Sequence, residues 1–250
     1  MRSWLLLLLA AGCSADVAET PKSPCAERHF DGTSLIVCAA EGPVEIISGH
    51  RDFASLGAAL GKRAEDVAFA MNAGMFDEAG KPIGLMIESG REVHKINRRE
   101  GGGNFHLMPN GVFLIRRDGS AAVVPSERFQ AAKNIAFATQ SGPMLVIDGK
   151  LHPKFNSDGT SKYVRNAVGI APDGKPVFVI SQDVVSFGKL ARFFRDEVKA
   201  SDALYLDGSV SSLWDPANDR LDNFTELGPM IVAFKPSAGS APGREGRATP

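Results

Sequence analysis

Ala167-Val-Gly-Ile-Ala-Pro-Asp-Gly-Lys-Pro-Val-Phe-Val-Ile180 reads as two apolar strands closed by Asp173-Gly174. Asp-Gly supplies the backbone freedom that a tight turn needs, so the two runs are predicted to pair antiparallel. The same device recurs along the chain. Ile135–Thr139 and Met144–Ile147 lead into Asp148-Gly149, and Asp118-Gly119 turns the chain towards Ala121–Val124. Asn110-Gly111 separates Asn104–Met108 from Val112–Ile115, and Ser89-Gly90 separates Ile83–Ile87 from Glu92–Ile96. Leu35–Cys38 and Val67–Met71 are further apolar runs. Two helices are predicted beside these strands. Asp52 caps Phe53, Leu56 and Leu60 at helical spacing, and Ser186 caps a face made by Phe187, Leu190, Ala191, Phe194 and Val198. The second helix runs by a short link into Ala203–Leu206. The expected class is α+β: a single domain with a mixed, mostly antiparallel β-sheet core and a few packed helices.

The chain ends fall outside that domain. Arg2 precedes the apolar run Trp4–Ala11, followed by Gly12 and Cys13. This is the pattern of a secretory signal, and the run is too short to span a bilayer as a helix. Leu9-Ala10-Ala11-Gly12-Cys13 also resembles a bacterial lipobox, with Cys13 as the lipidated residue. The other reading is ordinary cleavage with Cys13 incidental. The expected organisation is a signal peptide over 1–12, a lipid-anchored tether over 13–24, a folded domain over 25–235 and a disordered tail over 236–250. The expected location is the bacterial cell envelope, with a membrane contact through the N-terminal lipid. With Cys13 set aside, Cys25 and Cys38 remain as an even pair, and export favours a disulfide between them. The 28 basic and 29 acidic side chains nearly balance, which gives no reason to expect nucleic acid as a partner.

Several chemistries lack their signatures. There is no Cys-x-x-Cys, no His-x-x-x-His and no Gly-x-Ser-x-Gly. His29, His50, His94, His106 and His152 are scattered; His106 and His152 lie nearest the segments that follow. Gly101-Gly102-Gly103 lacks the strand-to-helix setting of a phosphate loop.

Four other segments share one design: an apolar strand ending in small and polar residues. They are Met71-Asn-Ala-Gly-Met-Phe76, Ala138-Thr-Gln-Ser-Gly-Pro143, Tyr163-Val-Arg-Asn-Ala-Val-Gly169 and Leu204-Tyr-Leu-Asp-Gly-Ser209. Each alone reads equally well as a turn or a surface charge. Together they present Asn, Ser, Arg and Asp at strand ends, as one pocket rim would. Arginine offers a planar fork of donors that matches phosphate oxygens. Glycines let backbone N–H groups approach an anion. A fixed carboxylate can act as base or nucleophile.

In this order the four segments resemble those of the phosphodiester glycosidase family. The matching residues are Asn72-Ala-Gly-Met-Phe76, Ser141-Gly-Pro143, Arg165-Asn-Ala-Val-Gly169 and Leu206-Asp-Gly-Ser-Val-Ser211, and the likeness spans about residues 30 to 234. A bacterial branch is closer still, through Gly103-Asn-Phe105, Pro109-Asn-Gly-Val-Phe113 and Thr139-Gln-Ser-Gly-Pro143. The resemblance implies Asp207, Arg165 and Asn72 as catalytic residues. It implies Gly74, Ser141, Gly142, Asn166, Gly208 and Ser211 as a substrate-binding lining. The implied substrate is a glycan or sugar phosphodiester, cleaved at the glycosidic carbon: Asp207 would act there, Arg165 would hold the phosphate, and Asn72 would orient a sugar hydroxyl or the water. No metal or cofactor is implied. Ser209 and Val210 replace two family glycines, and the Ser-Gly-Gly-Pro step lacks one glycine, which implies a narrower pocket. Three other readings stay open: a phosphodiesterase breaking P–O, a non-catalytic glycan-binding lipoprotein, and a hydrolase with Ser141 as nucleophile.

Overall fold

The computed structural model describes residues 22–156 and 159–236. The expected signal peptide, Cys13, nearly all of the expected tether and the expected tail from 237 onward lie outside the described residues. β1 (Cys25–Phe30) and β2 (Thr33–Ala39) form a hairpin over Asp31-Gly32, both at positive φ. Cys25 and Cys38 face each other across it and form the expected disulfide. Closing a loop of this size stabilises by about 3 kcal/mol.

β3 (Val44–Ile47) precedes α1 (Phe53–Leu60), whose Asp52 cap accepts from the Ser55 N–H at 2.6 Å. β4 (Val67–Asn72) follows as a buried strand. β5 (Met86–Glu88) and β6 (Arg91–His94) flank the Ser89-Gly90 turn. β7 (Gly111–Arg116), β8 (Ala121–Pro125) and β9 (Ile135–Ser141) come next. The segment Asn104–Met108, expected as a strand, is instead a run of turns ending in a cis Met108-Pro109 bond. The backbone there is held by the side chain of Asn110, whose Nδ2 donates to the Phe105 carbonyl at 2.9 Å.

β10 (Met144–Ile147) and β11 (Lys150–Leu151) flank Asp148-Gly149; β12 (Asn166–Ile170) and β13 (Pro176–Ser181) form the hairpin over Asp173-Gly174. α2 (Phe187–Asp196), capped by the Ser186 hydroxyl, leads to β14 (Ala203–Tyr205). β15 (Leu213–Asp215), β16 (Arg220–Leu221) and β17 (Met230–Phe234) complete the chain.

The strands form three sheets, ordered β1-β2-β13-β12-β14-β10-β11, β16-β15-β4-β17-β3 and β6-β5-β9-β7-β8. Every ladder among the described residues is antiparallel. The expected α+β class with an antiparallel core therefore holds. The partition into three sheets is the structure's addition.

The main core lies where the three sheets meet. Phe178 of β13 meets Phe69 of β4 at 5.4 Å and Phe113 of β7 at 5.6 Å, both edge to face. One ring thus comes from each sheet. Each such buried side chain contributes roughly 2–3 kcal/mol. α2 covers the other face of the seven-stranded sheet through Leu190, Ala191, Phe193 and Phe194. α1 covers the sheet containing β4 through Phe53 and Leu56.

Candidate active site

Strand ends from all three sheets converge below one cleft. The chain turns after β14, where the Asp207 N–H donates to the Ala73 carbonyl at 3.0 Å and the Leu206 N–H donates to the Asn166 carbonyl at 3.0 Å. The Tyr205 N–H donates to the Pro143 carbonyl at 3.1 Å, which ties in the turn between β9 and β10. Three of the four sequence segments are thereby joined to the fourth.

Side chains lock this junction. Asn72 Nδ2 donates to the Asp207 carbonyl at 2.6 Å. Asn166 Nδ2 donates to Asn72 Oδ1 and to the Asn72 carbonyl, each at 2.9 Å. Asn72 Oδ1 also accepts from the Ser212 N–H at 2.9 Å, and the Ser211 hydroxyl donates to Asn166 Oδ1 at 3.2 Å. Asn72, expected to orient a sugar hydroxyl or water, is 1 % exposed and fully occupied within the protein. It fixes the backbone on which Asp207 stands.

Asp207 differs from these neighbours. Its carboxylate receives the Ser209 hydroxyl at 2.7 Å and the Ser209 N–H at 3.3 Å, both at Oδ1. It is 8 % exposed, and burial pushes its pKa up, against the lowering effect of the two Ser209 hydrogen bonds. Gly208 follows because a side chain there would collide with the Tyr205 hydroxyl. Gly208, Ser209 and Ser211 line a cleft of about 350 Å³, with Tyr163, Gln182, Arg220, Asp222 and Phe224 among its other walls.

The other expected residues sit deeper. Arg165 is 0 % exposed. Its Nε donates to the Val185 carbonyl at 2.9 Å and its Nη2 to the Ser161 carbonyl and hydroxyl, each at 3.2 Å. The guanidinium lies over the Phe187 ring at 3.7 Å, flanked by Tyr163 at 5.3 Å and Tyr205 at 5.2 Å. Its Nη1 has no hydrogen-bond partner among the described residues, and neither does the buried hydroxyl of Ser141. Neither residue lines the cleft, and Asp207 adjoins it only through Gly208 and Ser209. Gly74 and Gly142 are packing positions: a side chain at Gly74 would meet the Gln140 carbonyl, and one at Gly142 would meet Asn110 and Phe105.

The segment Thr139–Pro143 serves a second polar cluster. Gln140 Oε1 accepts from the Leu85 and Asn97 N–H groups at 2.9 and 2.8 Å, and its Nε2 donates to the Asn97 carbonyl at 2.6 Å. Asn110 accepts from the Ser126 hydroxyl. This cluster is closed on itself. His152 is buried between the Met108 carbonyl and the Lys154 N–H and stacks on Phe155 at 4.5 Å; His106 contacts the Arg99 carbonyl at 2.8 Å. Among the described residues no group of three or more His, Cys, Asp or Glu is arranged to hold a metal, and no helix is long and apolar enough to cross a membrane.

Sequence reasoning missed Arg220, Asp222, Tyr163 and Phe224 as cleft walls. An Arg-x-Asp step followed by an aromatic residue in a turn was the available signal.

A family model described as phosphodiester glycosidase matches residues 65–229. An uncharacterized protein of Escherichia coli strain K12, YigE, is 38% identical over 148 residues, or 59% of this chain. That match spans 58% of the relative's own length. The catalytic domain of zebrafish N-acetylglucosamine-1-phosphodiester alpha-N-acetylglucosaminidase, auto-inhibited by its pro-peptide, is similar in structure. Its TM-score is 0.59 at 16% identity, covering 84% of this chain and 81% of that one. A hypothetical protein from Synechocystis has a TM-score of 0.53 at 12% identity, covering 83% of this chain and 61% of that one. At these identities the two structures speak for a shared fold.

Proposed function

Since this chain belongs to the phosphodiester glycosidase family, we propose that it is an exported hydrolase cleaving the glycosidic bond of a sugar-1-phosphate diester. The observation that carries this reading is Asp207: a carboxylate held at a rigid strand end, hydrogen-bonded only by Ser209 among the described residues, and adjoining the cleft through its neighbours Gly208 and Ser209. Asp207 acts at the anomeric carbon, through its own oxygen or through a water that it deprotonates. The bond from that carbon to the bridging oxygen breaks, water supplies the new sugar hydroxyl, and a phosphomonoester anion departs. That leaving group is stable as an anion, so one carboxylate suffices without a partner acid. Asn72, Asn166 and Ser211 position the Asp207 turn. Arg165, whose Nε and Nη2 are bound to protein oxygens, props the same turn from below through Tyr205.

The Cys25–Cys38 disulfide supports export, because such bonds persist in oxidising compartments. We place the protein in the bacterial cell envelope, anchored through a lipid on Cys13; a Cys13→Ala chain then leaves the membrane fraction.

The deciding experiment is hydrolysis of a panel of α- and β-linked sugar-1-phosphate diesters in heavy-oxygen water. Label in the released sugar is expected. Label in the phosphate means P–O cleavage and overturns the glycosidase reading. Thermal protection by a diester with no turnover identifies a binding protein instead.

A further inference from the structure

The cleft beside Asp207 has a composition that the family segments do not explain. Among the described residues lining it, Arg220 is the only basic one. Its guanidinium is held flat by Asp222: Nε contacts Asp222 Oδ1 at 3.1 Å and Nη2 contacts Asp222 Oδ2 at 2.7 Å. Asp222 is itself fixed by the Leu213 N–H at 2.9 Å. This pairing fixes the plane of the guanidinium, so little side-chain freedom is left to lose; it also offsets part of the charge, and the Nη1 edge, which makes no hydrogen bond to Asp222, is what remains for an anion. The opposite properties stand at the mouth. Tyr163 is 60% exposed and Phe224 is 69% exposed, and both line the same cleft. Two exposed aromatic rings on one cleft offer a ligand an apolar wall. Arg165, the sequence's candidate for the anion, lies behind Tyr163 and outside the cleft lining, with Nε and Nη2 bound to protein oxygens and only Nη1 unpartnered among the described residues.

We infer that this cleft is a sugar-phosphate subsite in which Arg220 pairs with the phosphate and Tyr163 and Phe224 pack against the apolar face of the sugar ring. A pyranose suits such a wall, since its C–H face meets an aromatic ring while its hydroxyls reach polar partners such as Gln182 and Ser209. The inference rests on reading the cleft as the reaction site, and it specifies which side chains bind which half of the substrate.

The experiment measures binding of glucose 1-phosphate and of inorganic phosphate to the folded protein by calorimetry. Wild type, Arg220→Gln, Arg220→Lys and Phe224→Ala are compared. Arg220→Gln is expected to weaken both ligands by about tenfold or more, with partial recovery in Arg220→Lys. Phe224→Ala is expected to weaken glucose 1-phosphate about three- to tenfold and leave inorganic phosphate unchanged. Phe224 is exposed, so its variant keeps the fold even if Arg220→Gln does not. The inference is overturned if wild type binds neither ligand, if Arg220→Gln binds both as wild type does, or if Phe224→Ala leaves glucose 1-phosphate binding unchanged. Binding as expected without turnover of any diester leaves the subsite standing and removes the glycosidase reading. Turnover that depends on Asp207 but is indifferent to Arg220→Gln does the reverse.

Discussion

Two buried polar clusters, both built from the conspicuous sequence segments, end differently. Around Gln140, each amide atom finds a protein partner: Leu85 and Asn97 on one side, Asn97 and Asn110 on the other. Around Asn72 the amides are equally satisfied, but the network runs out at Asp207, where Ser209 serves one oxygen and the cleft begins. The amides around Gln140 are saturated within the protein, whereas the Asn72 network ends on a carboxylate with an oxygen to spare. Both clusters look alike as sequence, because Asn, Gln, Ser and Gly at a strand end serve either purpose.

The sharpest way to break this contrast is at its two centres. Asp207→Asn keeps the shape and the Ser209 contact but removes the charge. It is expected to lower kcat/KM for a sugar-1-phosphate diester on the order of a thousandfold, read by product release. Gln140→Ala is the opposite case. It strands the Leu85 and Asn97 N–H groups and is expected to cost about 3 kcal/mol, read by denaturant unfolding, while the molecules that remain folded keep their turnover. Loss of activity without loss of stability in Gln140→Ala would erase the distinction between the clusters.

A smaller effect tests the same contrast from the side of stability. The Asp207 pKa is raised because burial disfavours its charge, so the folded state holds that proton more tightly than the unfolded chain. Stability is then lost as pH rises from the ordinary aspartate range through the raised value, and at neutral pH the charged group is a net cost. Asp207→Asn is therefore expected to raise Tm by about 1–4 °C at pH 7, with the gain vanishing in acid below the ordinary aspartate range. In wild type the acid limb of kcat/KM is expected above that range, since the working form of Asp207 is ionised.

The sequence was most legible where interactions are local. Ser89-Gly90, Asp118-Gly119, Asp148-Gly149 and Asp173-Gly174 each help close a hairpin, because a short turn needs only its own backbone geometry. Asn110-Gly111 misled for the same reason. It reads as a turn between strands, yet Asn110 spends its side chain on Phe105 and Ser126 and holds a coil. Which strands share a sheet was not legible, since β4 pairs with β15 and β17, far along the chain. The position of Asp207 at a strand end could be read from its segment. The burial of Arg165 could not: a charged side chain reads as exposed or ligand-bound, and only the fold supplies Phe187 and Val185 to receive it. Arg220 and Phe224 escaped because cleft walls are defined by neighbours distant in sequence.

The meeting of Phe69, Phe113 and Phe178 has a consequence for how the molecule comes apart. Each sheet contributes one ring to that joint, and no sheet can leave without uncovering rings of the others. The three sheets are thus one cooperative unit, which melts in a single transition rather than shedding a layer at a time. The turn that carries Asp207 is built from the ends of those same sheets, so it keeps its shape until the whole domain lets go.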